Sequence, residues 1–220
     1  MYDIKKWDIS IRNLYEVYSK LTRDVCFQRS DCTATEEEIL LIEKSLCIEI
    51  PPSFKECLMT YTKSLVFSAS LPDDFALPQE LSQIFSAGFS WSLDILMESE
   101  ESRKGWVEAC FSDPDDKYDK VWHNKLAFMS VSNGDHIAFD LNDSNRDKRV
   151  VYLSHDDGEG HGYVLGDNFG DYIEKLIAIG APGNEDWQVL PFIQNSTSGI
   201  DPCCENAKKY RQLIGIHDGV

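Results

Sequence analysis

Along residues 126–165 the apolar residues stop recurring every three or four positions and begin to recur every two, with helical spacing on either side. That change of period constrains the chain more than any other feature, because a two-residue repeat is a strand signal and a 3.6-residue repeat a helix signal. The runs 126–130 and 135–141 flank a loop containing Asn133-Gly134, a strong short-range hairpin signal. In the second run Ile137, Phe139 and Leu141 alternate with His136, Ala138 and Asp140, which predicts one buried face and one wetter face. Residues 149–154 read as a third strand and 163–165 as a fourth. An antiparallel meander bracketed by helices is α+β architecture, not the alternation that builds a parallel sheet.

The flanking helices have their own signals. Trp7, Ile11, Leu14, Tyr15, Tyr18 and Leu21 form one stripe of an amphipathic helix over residues 1–22. Residues 23–34 break the pattern and read as a linker. Thr35 and Glu38 have capping-box spacing ahead of Ile39, Ile42 and Leu46, and this helix ends near Cys47, before the extended stretch that leads to Pro51-Pro52. Pro52 occupies a first-turn position for a helix carrying Phe54, Leu58 and Tyr61. A short strand is expected near 65–67, a short helix near 79–86, and a long helix over 91–111 with Trp91 and Trp106 as packing anchors. Residues 112–120 are an aspartate-rich loop and 142–148 another loop. A helix over 168–179 stops at Gly180, and a last one begins at Asp201-Pro202 and presents Tyr210, Leu213 and Ile214. The expected organisation is an N-terminal helix and linker over 1–34, the α+β domain over 35–180, and a C-terminal loop and helix over 181–220.

Charge narrows the function. Twenty-one basic and 38 acidic residues leave a net −17, which argues against nucleic acid and anionic membranes as partners and favours a basic macromolecular partner or none. Seven cysteines, an odd number without a CxxC pair, fit free thiols rather than a disulfide framework or zinc site. With no apolar leader and no run long enough to span a bilayer, a reducing cytosol is the expected compartment.

The ordered pieces Thr35-Glu36-Glu37-Glu38-Ile39, Ile50-Pro51-Pro52-Ser53-Phe54-Lys55-Glu56-Cys57-Leu58, Asn133-Gly134-Asp135-His136-Ile137-Ala138-Phe139-Asp140-Leu141, Val150-Val151-Tyr152-Leu153-Ser154-His155-Asp156 and Phe169-Gly170-Asp171-Tyr172-Ile173 resemble the SUKH superfamily, which includes the Smi/Knr-type cell-wall assembly regulators and bacterial immunity proteins. The match spans about 35–180. It departs from the family pattern at Tyr61-Thr62-Lys63-Ser64-Leu65, where a Gly-rich turn is common. The resemblance implies an α+β fold, no catalytic activity, and binding to another protein. The expected function is neutralisation of a basic, nuclease-like toxin domain in the cytosol. A regulatory scaffold of the cell-wall regulator type is the alternative; the low-complexity tails that would favour it are lacking.

The candidate contact surface is an acidic rim: Asp113, Asp115, Asp116, Asp119, Asp135, Asp156, Asp157 and Glu159, with Trp122 as a candidate interface aromatic. It requires the loops 112–120, 142–148 and 155–162 to gather at one edge of the sheet. His136, on the open face of its strand, is expected to be half-exposed. The segment His155-Asp156-Asp157-Gly158-Glu159-Gly160-His161 has the residue types of a metal-dependent hydrolase, a second alternative built on His155 and His161, though Asp and Gly also serve plain turn chemistry. Cys203-Cys204 beside a helix start could act as a nucleophile only with a histidine close in space. No catalytic residue, metal ligand or cofactor is assigned, and no nucleotide-binding loop is present.

Overall fold

A computed structural model describes residues 4–216. Helix α1 (Ile4–Leu21) buries Trp7, Ile11, Leu14 and Tyr18, while Tyr15 lies at the edge of the stripe against Phe27. The stretch read as a linker contains a strand, β1 (Val25–Arg29). It is short, and its partners lie some forty residues on, in β2 (Ser64–Ser70), which pairs in turn with β3 (Ser86–Ser92). This antiparallel sheet is the main departure from expectation. Its inward residues Phe27, Phe67 and Phe89 stand in one cross-strand row, and Trp91, expected to open a helix, is the last inward residue of β3.

Between β1 and β2 lie α2 (Glu36–Leu46), closed by the expected Thr35–Glu38 capping box and a left-handed Cys47, and α3 (Pro52–Thr60). A 3₁₀ turn at Gln79–Leu81 replaces the short helix expected at 79–86. The long helix is confined to α4 (Leu96–Ala109), and α5 (Asp119–Trp122) follows the aspartate-rich loop.

The meander forms as read: β4 (Lys125–Ser130), β5 (His136–Asp140), β6 (Val150–Leu153) and β7 (Val164–Gly166) make one antiparallel sheet in chain order. In the β4–β5 turn only Gly134 has positive φ. Asn133 acts through its side chain, accepting from the Asp135 amide and donating to the Asp135 carboxylate. The wetter face does not exist. Leu126, Phe128, Ile137, Phe139, Val150 and Tyr152 face the main core, and Ala127, Ala138, Val151, Leu153 and Val164 face a second cluster. Small residues at 127 and 138 leave a shallow surface on which α4 and α5 lie close. Glu100 of α4 reaches the sheet directly, accepting from the Ala127 amide at 3.0 Å while pairing with Arg103 at 2.7 Å. Arg103 donates in turn to the Trp122 carbonyl.

On the main-core face, Phe54 of α3 sits 4.6 Å from Phe169 of α6 (Phe169–Ala178), with Phe128 and Phe139 beside them. After α6 the chain turns at Gly180, whose φ is +95° and where a Cβ would stand 2.7 Å from Ile214. It continues through α7 (Asp186–Val189), a 3₁₀ turn at Leu190–Phe192, and α8 (Glu205–Ile214). Asp201-Pro202 does not open α8. Asp201 accepts from the Cys203 amide in a turn, and Cys204 caps the helix through its sulfur. Tyr18 donates to the Gly180 carbonyl at 2.8 Å and meets the Tyr210 hydroxyl at 2.9 Å, so both terminal helices share the core of the central domain.

Candidate functional site

Asp135 follows the hairpin glycine and is fully buried. One carboxylate oxygen accepts from the His155 amide (2.8 Å) and from His155 Nδ1 (2.6 Å); the other accepts from the Tyr152 hydroxyl (2.6 Å) and Asn133 Nδ2 (2.8 Å). Four donors on one carboxylate compensate its loss of water. Burial beside that carboxylate pushes the Tyr152 hydroxyl far above its ordinary pKa, keeping it a donor. With Nδ1–H committed to Asp135, His155 keeps Nε2 as its free nitrogen, and its ring lies 4.9 Å from Trp106.

Asp135 is therefore a bracket between the β4–β5 turn and the end of β6, not a contact residue of the rim. Trp122 is also withdrawn from that role. Fully buried, it donates Nε1–H to the Ser154 carbonyl at 3.1 Å and stacks on Phe111 at 4.8 Å. His136 is 1% exposed because α4 and α5 cover the face expected to be open. Burial, with Arg103 nearby, lowers its pKa to about 4; Nε2 meets Ser102 and Nδ1 has no partner among the described residues.

The two loops richest in unpaired acids do meet. Tyr118 donates its hydroxyl to the Ser154 carbonyl at 2.6 Å, accepts from the Asp157 amide at 3.0 Å, and stacks on His161 at 3.8 Å. This clasp brings 112–119 beside 154–161. Asp113, Asp115, Asp116, Asp156, Asp157 and Glu159 are exposed and Asp119 is half-buried. Asp113, Asp116 and Asp119 spend oxygens on backbone amides of their own loop, and those amides hold Asp116 below the usual carboxylate range. Loop 142–148 does not join them. Asp147 accepts from the amide and hydroxyl of Ser53 at the start of α3, and Asp143 pairs with Arg149.

Behind the rim lies a group that sequence reasoning missed. Glu185 and Asp186, at the start of α7, are buried near Asp135 and Asp156. Desolvation first, and then these neighbouring carboxylates, raise both pKa values. Gly160 donates its amide to Asp186 at 2.9 Å, which seats the 154–160 loop on α7. The local sequence, Asn184-Glu185-Asp186-Trp187, carries no sign of this proximity, since its neighbours are some thirty to fifty residues away.

The hydrolase geometry is not formed. Asp135, His155 and Asp156 place ligand atoms within 4.8 Å of one another, but the oxygens of Asp135 are already occupied by four donors, and His155 Nδ1–H is one of them. His161 lies outside the group: Nδ1 accepts from the Ser154 amide and Nε2–H donates to the Tyr118 carbonyl, leaving neither nitrogen for an ion. Cys204 serves as a helix cap, and no histidine bonds either Cys203 or Cys204 among the described residues; His217 lies outside them. Among the described residues no helix is long and apolar enough to cross a membrane.

Two antiparallel sheets and the helices packed on them define the class, an α+β protein, and among the described residues its loops 112–119 and 154–161 gather exposed carboxylates at one edge. The model of the SMI1 / KNR4 family (SUKH-1) matches residues 33–175, most of the chain, and the protein belongs to that family. No curated protein and no solved structure matches it.

Proposed function

We propose that this chain is a non-enzymatic binding protein of the immunity type, which neutralises a basic, nuclease-like toxin domain by occluding its cationic surface. One observation carries the reading. The seven rim acids Asp113, Asp115, Asp116, Asp119, Asp156, Asp157 and Glu159 are held at one edge by the Tyr118 clasp, and among the described residues none forms an ion pair, Lys120 acting on Asp116 only at longer range, whereas Asp8, Glu43 and Asp171 are each ion-paired. A cluster of unpaired like charges costs folding energy through repulsion, and a cationic partner relieves it. Lysines and arginines that hold phosphates in a nuclease would meet this edge, raising the association rate in a salt-dependent way and blocking the substrate path.

The test is co-expression with a basic toxin domain encoded beside its gene, followed by calorimetry of the purified pair at 50 and 300 mM salt (about 14 and 6 Å of screening length). The expected result is rescue of growth and binding that weakens with salt. Neutralising Asp115, Asp157 and Glu159 together should weaken low-salt affinity by at least about tenfold. Binding that is indifferent to both salt and neutralisation would discard the acidic-edge mechanism.

A further inference from the structure

Next to the rim is a cavity of about 470 Å³, lined by the end of β4, the turn that follows it, the start of β3 and the residues leading into α7. Six of its eight lining residues are polar and can accept hydrogen bonds, beside Phe85 and Val131, and the Ser86 hydroxyl is already engaged by Gln188. Ser86, Ser130 and Ser132 contribute hydroxyls, Glu185 a carboxylate, and Asn184 an amide. Three features are unusual for a cavity that merely holds water. Asn184 Oδ1 is buried and receives no donor among the described residues. Glu185 is only 9% exposed, yet its side chain receives only the Ser132 hydroxyl and the α7 cap amide, and among the described residues no cation faces it. Phe85 lines the same cavity with 54% of its surface open to solvent, a large aromatic left uncovered.

An orphan acceptor, a buried carboxylate without a counter-charge and an exposed ring call for one kind of occupant. It must be cationic to satisfy Glu185, must present several N–H groups in different directions to reach Asn184 Oδ1 and the hydroxyls, and must be flat enough to lie against Phe85. An ammonium meets the first two demands with its three N–H donors but has no flat face to lay against Phe85; a guanidinium meets all three. We propose that this cavity receives an arginine side chain of the basic protein partner, seated between Glu185 and Asn184 and stacked on Phe85. The inference rests on the binding role proposed above and names the anchor that would set residence time, while the rim sets the rate of encounter. Asp156 and Asp186, close enough to Glu185 to raise its proton affinity, add to the local negative potential.

Nα-acetyl-arginine methylamide is the probe, titrated into the ¹⁵N-labelled full chain and compared with the citrulline derivative, which keeps the shape and loses the charge. The expected result is saturable shifts, in the millimolar range, at the amides of Ser86, Ser132, Asn184, Glu185 and Gln188, with citrulline at least about tenfold weaker. Glu185→Gln, which keeps an acceptor for the α7 cap, should weaken the arginine derivative about tenfold, and Phe85→Ala, at an exposed position, severalfold. Neutralising Asp115 and Asp157 should leave the titration within about twofold. Equal binding of citrulline, shifts confined to residues 113–119, wild-type titration of both Glu185→Gln and Phe85→Ala, or response of the same amides to calcium chloride while the arginine derivative stays silent would each overturn it. If the toxin domain binds and Glu185→Gln binds it equally well, the cavity assignment falls and the binding role stands. If the arginine derivative titrates into the cavity but no basic protein binds, the reverse holds.

Discussion

At the scale of single residues, burial decides which titrating groups matter. His136 is the clearest case. Its faces are closed by Ser102, Glu100 and Arg103 of α4, Trp122 of α5, Asp135 of the hairpin turn and His155 at the end of β6. The ring is neutral in the folded protein down to about pH 4, while in the unfolded chain it protonates near the ordinary histidine value of 6.5. The unfolded state therefore binds the proton first, and folding stability is lost as pH falls from about 6.5 to about 4, by roughly 3 kcal/mol in total. Glu185 and Asp186 act in the opposite sense. Their raised values mean the folded state holds protons more tightly, so their ionisation erodes stability as pH rises through the carboxylate range. His136→Gln should therefore flatten the acid limb between pH 6.5 and 4, read as urea-unfolding free energy at each pH; an unchanged slope would place the sensitivity elsewhere. Trp122 belongs to the same scale. Replacement by alanine should cost about 3–5 kcal/mol in the same measurement, the ordinary cost of emptying a large core site. Its aromatic character and its position in a polar stretch are visible in the sequence, but its burial is not, because Phe111 and Ser154 reach it from separate segments.

At the scale of elements, the local signals that came true are those satisfied within a few residues. Thr35 and Glu38 close their capping box, Pro52 starts α3, and Gly180 stops the chain just beyond α6. Thr35→Ala should cost about 1 kcal/mol, measurable by denaturant unfolding, and leave the rest of the fold intact. The elements that were misread, β1 and β3, obtain their hydrogen bonds from distant strands. Ser86–Ser92 alternates serine or glycine with Ala87, Phe89 and Trp91, but a tryptophan followed by leucines at helical spacing masks that pattern. The cover over the meander is likewise an element-level result. Glu100 looks like one more surface acid of α4, yet it is fully buried, joined to Arg103 and to the Ala127 amide. Glu100→Ala leaves the buried guanidinium without a counter-charge, held only by the Trp122 carbonyl, and the Ala127 amide without a partner, and a loss of about 3–5 kcal/mol is expected by thermal or urea unfolding. A change below about 1 kcal/mol would mean that water reaches Arg103.

At the scale of the whole molecule, α1 and α8 are part of one core with the family-matched region, joined through Tyr18, Gly180 and Tyr210. Far-UV dichroism and tryptophan fluorescence should therefore report a single coincident unfolding transition, and separate transitions would show that the termini fold apart. The charge is also a property of the whole. With −17 on the chain and the rim unpaired, replacing Asp115, Asp157 and Glu159 by their amides should leave unfolding free energy at low salt unchanged or higher, even as it weakens the proposed partner. What the residue order determined by itself is the meander, its flanking helices, their caps and an acidic surface, because periodicity, capping and turn chemistry act between neighbours only a few positions apart. What the tertiary structure alone decided is which acids stand at the surface, that His136 is buried and held neutral, and that Glu185 comes to lie near Asp135 and lines a cavity with Phe85 and Asn184. Those outcomes depend on which faces are covered, and a face is covered by residues fifty or a hundred positions away whose arrival no local pattern records.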